Sequence, residues 1–220
     1  MSLSPARRHV MRVQAEESAR LGGSPSRHLS GYNLMLLQLE EDQRRLKGIQ
    51  STEKKGEVKR ELLPRYAPWV TGALANGKGV QDDVLMTVMI WRIDAGDYAG
   101  ALDIADYALR FGLVMPKRYA RKTACAIVEE IADAAAKAYA AKQPVDVANL
   151  QRTLDLTGSA DMPDEVRAKL HKILGYCRRD NNQPALAYDH LSRAFQLNEN
   201  IGVKKDLGQL ETAIRKAQKG

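Results

Sequence analysis

The fold class is decided by the stretch Asp83–Ala95, which reads DVLMTVMIWRIDA. Asp82 and Asp83 stand before its apolar run, which is the usual signature of a helix N-cap. A Gly-Asp pair directly after the stretch predicts a turn. The stretch therefore predicts a buried α-helix, and its apolar run, residues 84–91, is too short to span a membrane.

The rest of the chain has the same helical character on both sides of this stretch. The Ala-rich residues 124–141 have high helix propensity. No segment combines alternating Val, Ile or Thr with hairpin turn residues, so no β-strand is predicted. We therefore predict an all-α fold, with further helices at about 7–21, 31–62, 69–75, 101–111, 147–157, 166–178, 184–197 and 203–219.

The longest predicted helix, residues 31–62, is amphipathic and basic. Ser30 is placed to cap it and Pro64 to end it. Its apolar stripe is narrow, which suits packing against a partner helix in a bundle or an oligomer, whereas packing within its own domain is the alternative. The residues predicted to form an oligomer interface are Tyr32, Leu36, Leu39, Leu46 and Ile49.

The chain is basic, with 220 residues, a formal net charge of +7 and 44% hydrophobic residues. This apolar content excludes a wholly disordered chain. The charge is uneven, because residues 1–28 hold five arginines and two acidic residues, and residues 44–65 hold eight basic and three acidic residues. Clustered positive charge favours a polyanionic partner, since each neutralised phosphate releases condensed counterions.

These two segments supply the candidate phosphate-contacting residues, although a merely solvated surface is the alternative interpretation of any basic run. A quadruple Ala replacement of the basic residues within 54–60 is expected to weaken the salt dependence of binding. The ten candidates are Arg7, Arg8, Arg12, Arg44, Arg45, Lys47, Lys54, Lys55, Lys59 and Arg60.

The sequence contains no recognisable catalytic motif. It lacks a GxxxxGK[ST] or GxGxxG phosphate-binding loop, so ATP hydrolysis is not predicted. The four histidines are far apart, and neither Cys125 nor Cys177 lies in a CxxC pair, so no metal site, cofactor or disulfide framework is predicted. Asp82 and Asp83 could serve a two-metal nuclease, but helix capping is the favoured interpretation. No residue is therefore assigned to catalysis.

Two segments show a repeat-like pattern of small residues. Ala101 and Ala108 lie seven positions apart, and so do Ala187 and Ala194. Small residues at this spacing share one helix face and let a second helix approach closely. Together with Leu174 and Gly175 upstream, the second pair gives the C-terminal hairpin a resemblance to a tetratricopeptide repeat.

These features predict four parts of the chain. They are a mobile basic arm at 1–30, a long basic helix at 31–65 for oligomerisation and phosphate contact, a central helical domain at 66–160, and a C-terminal helical hairpin and tail at 161–220. The N-terminus has no apolar signal-peptide stretch, so a soluble protein of the cytoplasm is expected.

Several strings of the chain resemble the terminase small subunits of Peduovirus-type tailed phages. They occur in the family's order from the arm to the last helix, so the resemblance covers nearly the whole chain. The strings are residues 4–9 (SPARRH), 81–92 (QDDVLMTVMIWR), 96–97 (GD), 100–102 (GAL), 160–172 (ADMPDEVRAKLHK) and 202–205 (GVKK).

The resemblance implies a part in packaging viral DNA in the host cytoplasm. Such subunits bind double-stranded cohesive-end DNA, form homo-oligomeric rings, and recruit a large subunit that carries the ATPase and the nuclease. Two alternatives stay open. The family is also called the terminase endonuclease subunit, which suggests intrinsic cleavage, and the chain could instead be a helical protein–protein adaptor that does not bind DNA.

Overall fold

The computed structural model describes residues 3–20, 28–119 and 121–217. Within these ranges the chain forms ten α-helices and no β-strand, which confirms the all-α prediction. Three helices, α4, α7 and α9, have the bounds that the sequence predicted. The helices are α1 (Pro5–Arg20), α2 (His28–Lys47), α3 (Thr52–Asn76), α4 (Asp83–Ala95), α5 (Tyr98–Phe111), α6 (Thr123–Ala140), α7 (Val147–Thr157), α8 (Asp164–Asp180), α9 (Pro184–Leu197) and α10 (Lys204–Ala217).

The chain divides into two compact units. The N-terminal unit comprises Met1–Thr123 and the C-terminal unit comprises Ala124–Gly220. The division falls at the start of α6, whereas the sequence placed boundaries at 30, 65 and 160. Among the described helices, none combines the length and apolar character that crossing a membrane requires.

Helix α4 forms the centre of the N-terminal unit, and α2, α3 and α5 pack against it. Nine of its thirteen residues are buried. Asp82 caps the helix by accepting a hydrogen bond from the Leu85 amide at 2.9 Å. The indole Nε1–H of Trp69 on α3 donates to the same carboxylate at 2.7 Å. One buried aspartate therefore joins the start of α4 to α3.

The long helix predicted over 31–62 is two helices, α2 and α3. A break at residues 48–51 separates them, and Ser51 caps α3 by accepting a hydrogen bond from the Lys54 amide at 3.2 Å. The break lets α3 pack back on α2, where the Tyr66 hydroxyl donates to the buried Asp42 carboxylate at 2.7 Å. Two helices that face one core carry the same apolar spacing as one long helix, so the spacing alone does not show the break.

Pro64 does not end the helix, contrary to the prediction. Helix α3 continues through Pro64 and Pro68. Each internal proline removes a backbone donor and costs about 3 kcal/mol. Leu62, Tyr66 and Trp69 are all 0% exposed, and burying each such side chain contributes about 1.5–3 kcal/mol. This burial offsets the cost of the prolines.

Helix α1 includes most of the predicted basic arm, and it packs on α3. Gly72 allows a close approach, because a Cβ at that position would lie 2.2 Å from the carbonyl oxygen of Arg12. The Lys78 amide also donates to the carbonyl of Ala19 at 2.9 Å. The described part of the arm is thus a docked helix, while residues 1–2 and 21–27 lie outside the described residues.

The C-terminal unit is built on the hairpin of α8 and α9. A Cβ added at Gly175 would meet the Leu191 side chain at 2.5 Å, so the glycine lets the two helices approach closely. Ala187 and Ala194 are both 0% exposed in this contact. Helix α10 covers α9, and Val203 joins the same apolar cluster. The helical hairpin is confirmed, and its resemblance to a tetratricopeptide repeat stays a prediction.

Candidate nucleic-acid interface

The positive charge of the chain is concentrated in the N-terminal unit. This unit holds 20 of the 34 basic residues and 14 of the 27 acidic residues, whereas the C-terminal unit holds 14 basic and 13 acidic residues. The formal excess is therefore six in the first unit and one in the second. A polyanion is attracted mainly to the N-terminal unit.

The turn between α2 and α3 brings together five of the predicted basic residues, which we call the α2–α3 basic cluster. Three of them lie in the last turn of α2 and two in the first turn of α3. An ion pair across the turn joins Arg45 to Glu61 at 3.5 Å. The cluster consists of Arg44, Arg45, Lys47, Lys54 and Lys55. The remaining predicted residues of the N-terminal segment, Arg7, Arg8 and Arg12, lie exposed on α1.

The cluster contains cations that its own fold leaves available. Arg44 and Lys47 are exposed, and no acidic side chain among the described residues pairs with them. Lys54, in contrast, donates to Glu57 at 2.7 Å. Both members of that pair are well exposed, and surface pairs of this kind exchange readily with other anions. The end of the α2–α3 hairpin can therefore contact phosphates.

Lys59 and Arg60 have a structural role that the sequence analysis did not foresee. Lys59 is only 15% exposed and forms an ion pair with Asp94 at the end of α4. Arg60 donates its Nε–H to the carbonyl of Ala95 at 3.1 Å. Cations stabilise the negative C-terminal end of a helix, where carbonyls lack intrahelical partners. These two side chains hold α3 against α4.

Replacing Lys59 with Ala is expected to lower the free energy of unfolding by about 1–2 kcal/mol, because the largely buried Lys59 side chain loses both its packing and its ion pair with Asp94. The matched variant is Lys54→Ala, which removes an exposed pair and should leave the free energy of unfolding nearly unchanged. Urea denaturation followed by circular dichroism measures both. Equal stability of the two variants would contradict the structural role of Lys59.

The predicted oligomer residues of α2 lie mainly on the face that packs within this chain. Leu39 and Leu46 are 4% and 6% exposed. Tyr32 stacks on Trp69 with ring centroids 6.0 Å apart, and its hydroxyl accepts a hydrogen bond from the Asp83 amide. Leu36 and Ile49 are half-buried. This placement matches the alternative that the helix packs within its own domain.

Asp82 and Asp83, the candidate pair for a metal-dependent nuclease, differ in their surroundings. The Asp82 carboxylate is buried and accepts the two hydrogen bonds described above, and burial raises its pKa to about 6. Asp83 accepts a hydrogen bond from the Gln81 side chain at 2.9 Å. Within the described residues, no group of three or more His, Cys, Asp or Glu side chains could hold a metal ion. Helix capping therefore accounts for Asp82.

Comparison with known proteins places the chain in a viral family. The family model described as phage small terminase subunit matches residues 36–165, which is more than half of the chain. The chain belongs to the phage small terminase subunit family. The match contains α3, α4 and the α2–α3 basic cluster.

Two curated relatives of this small terminase subunit come from phages. The terminase, endonuclease subunit of Escherichia phage P2 is 53% identical over 212 residues, which cover 96% of this chain and 86% of the relative. The probable terminase, endonuclease subunit of Haemophilus phage HP1 is 24% identical over 205 residues, which cover 87% of this chain and 73% of the relative. No solved structure matches.

The sequence analysis of this small terminase subunit missed a third basic segment. Residues 107–128 carry five basic residues and no acidic residue. They span the end of α5, the connection to α6 and the first turns of α6. A comparison of the numbers of basic and acidic residues in every window of the sequence would have found this segment. The five residues are Arg110, Lys117, Arg118, Arg121 and Lys122.

The C-terminal unit contains two histidines that lie close together in the structure although they are 19 residues apart in sequence. His171 on α8 and His190 on α9 approach with their Nδ1 atoms 3.1 Å apart. One ring must donate to the other, so only one of the two facing nitrogens carries a proton. Burial lowers the pKa of both rings. The pKa of His171 falls to about 4, with further lowering by the charges of His190, Arg193 and Arg167. The pKa of His190 is lowered further by Arg178 and raised in part by Asp189.

The stability of the C-terminal unit is expected to fall as the pH drops from 6.5 to 4. In this range the unfolded chain protonates its histidines while the folded pair resists, so the unfolded state binds more protons. The loss should reach about 1–2 kcal/mol, since partial exposure screens the effect. Thermal unfolding across this range measures it. His171→Gln should flatten the profile and the exposed His9→Gln should not; an unchanged profile in His171→Gln would contradict the assignment.

Proposed function

We propose that this small terminase subunit recognises viral DNA for a phage packaging terminase. In this proposal it binds double-stranded DNA at the cohesive-end site, self-associates, and brings there a large subunit that carries the ATPase and the nuclease. The subunit itself acts as a binding protein in the host cytoplasm and requires no cofactor.

The observation that carries the proposal is the α2–α3 basic cluster within the family-matched region. Arg44 and Lys47 are exposed at the end of the hairpin, in the unit that holds most of the positive charge excess. The fold uses other basic residues for its own contacts but leaves these two at the surface. Exposed, clustered cations are what contact with a phosphate backbone requires.

Phosphate contacts orient the subunit on the duplex and do not by themselves read the base sequence. Because each copy supplies only a few cations, a single copy binds weakly. Self-association multiplies these contacts through the high effective concentration of linked sites. An assembly of several copies therefore binds tightly where a single copy does not.

Self-association needs a surface that the fold leaves uncovered. Among the side chains of α2 that the structure describes, residues 31–47, the large apolar ones at the surface are Leu34 and Leu37, which are 64% and 61% exposed. Leu39 and Leu46 are committed to the core. Within the predicted interface helix, Leu34 and Leu37 are thus the side chains available to a second copy.

Fluorescence anisotropy with a labelled duplex tests the proposal. The duplex should carry the packaging-site sequence of the phage, and a shuffled duplex of equal composition is the control. We expect the logarithm of the association constant to fall steeply and linearly with the logarithm of salt concentration. We also expect tighter binding to the packaging-site duplex than to the shuffled duplex. Absence of binding to either duplex at low salt would contradict it and would favour the adaptor alternative.

A second candidate function is endonuclease activity of the subunit itself. It is favoured by the printed names of the two relatives, both of which are called an endonuclease subunit. Incubating the purified protein with supercoiled and cohesive-end DNA in Mg²⁺ or Mn²⁺ tests it. Cleavage that persists through purification and disappears in Asp83→Ala would support this function over pure recognition.

A further inference from the structure

The connection between α5 and α6 forms a concave surface in the N-terminal unit. The concavity has a volume of about 540 Å³ and is open to solvent. Its lining contains both apolar and basic side chains. Among the lining residues are Leu113, Val114, Met115, Tyr119, Arg121 and Lys122.

Side-chain hydrogen bonds hold the first part of this connection, residues 113–118, in shape. The Gln81 side chain binds both backbone groups of Val114, donating to the carbonyl at 2.9 Å and accepting from the amide at 3.0 Å. The Thr123 hydroxyl donates to the carbonyl of Leu113 at 2.6 Å. Arg118 donates to the buried Thr87 hydroxyl at 2.6 Å. Residues held in this way lose little conformational freedom when a ligand binds.

The connection places positively charged side chains next to an aromatic ring. It lies in the segment 107–128, which has five basic residues and no acidic residue. The Arg118 guanidinium lies 4.8 Å from the centre of the Tyr119 ring. Lys117 beside them is exposed. The connection therefore places cations beside Tyr119, a flat side chain that lines the concavity.

A polyanion with accessible flat faces fits this arrangement best. An unpaired DNA strand presents phosphates and the faces of its bases together, whereas a duplex keeps its bases stacked inside. Basic grooves with aromatic side chains are the usual surface for single strands. We propose that the α5–α6 connection is a second nucleic-acid site, which takes an unpaired DNA strand with one base against Tyr119. This proposal rests on the proposed function, because it assigns a further site on the same DNA.

The test uses the full-length protein and two labelled probes, a short mixed-sequence single strand and the duplex of the same sequence. Tyr119→Ala should weaken single-strand binding about fivefold to a hundredfold, and Tyr119→Phe should retain it because the ring remains. Lys117→Glu should make the salt dependence of single-strand binding shallower by roughly one in slope. Lys205→Glu, at an exposed position of α10, is the matched charge control. It should change neither the affinity for the single strand nor the salt dependence of that affinity.

The outcomes separate this site from the proposed function. Loss of single-strand binding with duplex binding retained supports the α5–α6 site. Normal single-strand binding in both Tyr119→Ala and Lys117→Glu would overturn the site while leaving duplex recognition by the α2–α3 basic cluster intact. Failure of the unmodified protein to bind either probe would overturn both proposals. Circular dichroism of each variant shows that a change in binding does not come from unfolding.

Discussion

Asp82→Ala is expected to lower the free energy of unfolding of the N-terminal unit by about 2–4 kcal/mol. The variant removes the N-cap of α4, which costs about 1 kcal/mol. It also leaves the buried indole N–H of Trp69 without its acceptor, which costs a further 1–3 kcal/mol, roughly. The two tryptophans, Trp69 and Trp91, both lie in this unit, so urea denaturation followed by tryptophan fluorescence reports its stability directly.

Asp83→Ala is the matched control, because it removes a neighbouring carboxylate that does not bind Trp69. It should cost less than about 1 kcal/mol, the usual contribution of an acidic residue in the first helical turn. The comparison also bears on the endonuclease alternative. An Asp82→Ala protein that keeps full stability but loses a measured DNA-cleavage activity would show that the carboxylate serves chemistry and that its capping role is unimportant.

The second large effect is expected in DNA binding. Replacing Arg44, Lys47 and Lys55 together by Ala should weaken duplex binding about 10- to 100-fold near physiological salt, because three cations no longer displace counterions. The slope of log affinity against log salt should become shallower by about two to three. These residues are preferred to Lys59 and Arg60, whose replacement would disturb the contact between α3 and α4.

A matched triple variant controls for the loss of net charge. Lys204, Lys205 and Lys216 of α10 are exposed, and their replacement by Ala removes the same charge from the C-terminal unit. This control should bind DNA nearly as well as the unmodified protein. If both triple variants weaken binding equally, the contact depends on total charge and not on the α2–α3 basic cluster.

The sequence predicted the helices whose ends carry chemical signals. Helix α4 has an aspartate before it and a Gly-Asp pair after it. The structure confirms the predicted cap, because Asp82 accepts from Leu85, and the predicted turn, where Gly96 adopts φ +84°. Helix α9 begins with Pro184, which suits the first turn of a helix. These signals are local, so they act the same way whatever the tertiary surroundings.

Where the predictions differ from the structure, tertiary contacts determine the observed conformation. The break between α2 and α3 is stabilised by packing, in which the distant Asp42 and Tyr66 meet. Pro64 lies inside α3 because Trp69 and its neighbours are buried deeply enough to offset the lost hydrogen bond. Neither contact can be read from residue spacing alone, since both join segments whose pairing the fold itself creates.

The candidate site was predictable in part. The basic residues of the α2–α3 cluster were identified from charge alone, and their proximity in the structure follows from the turn at 48–51. The structural roles of Lys59 and Arg60 were not predictable, because Asp94 lies 35 residues from Lys59 in sequence. The acid-free basic segment at 107–128 was visible in the sequence and was overlooked because its basic residues do not form one run, since they are divided between the end of α5 and its connection to α6.

The central claim is that several copies of this helical scaffold gather their cationic surfaces on viral DNA. Native mass spectrometry of the full-length protein, with and without a duplex carrying the packaging site, tests it most directly. We expect an assembly of several protomers that gains the mass of a bound duplex and releases it as salt is raised. A protein that stays monomeric in both samples, with no duplex bound even at low salt, would contradict the claim.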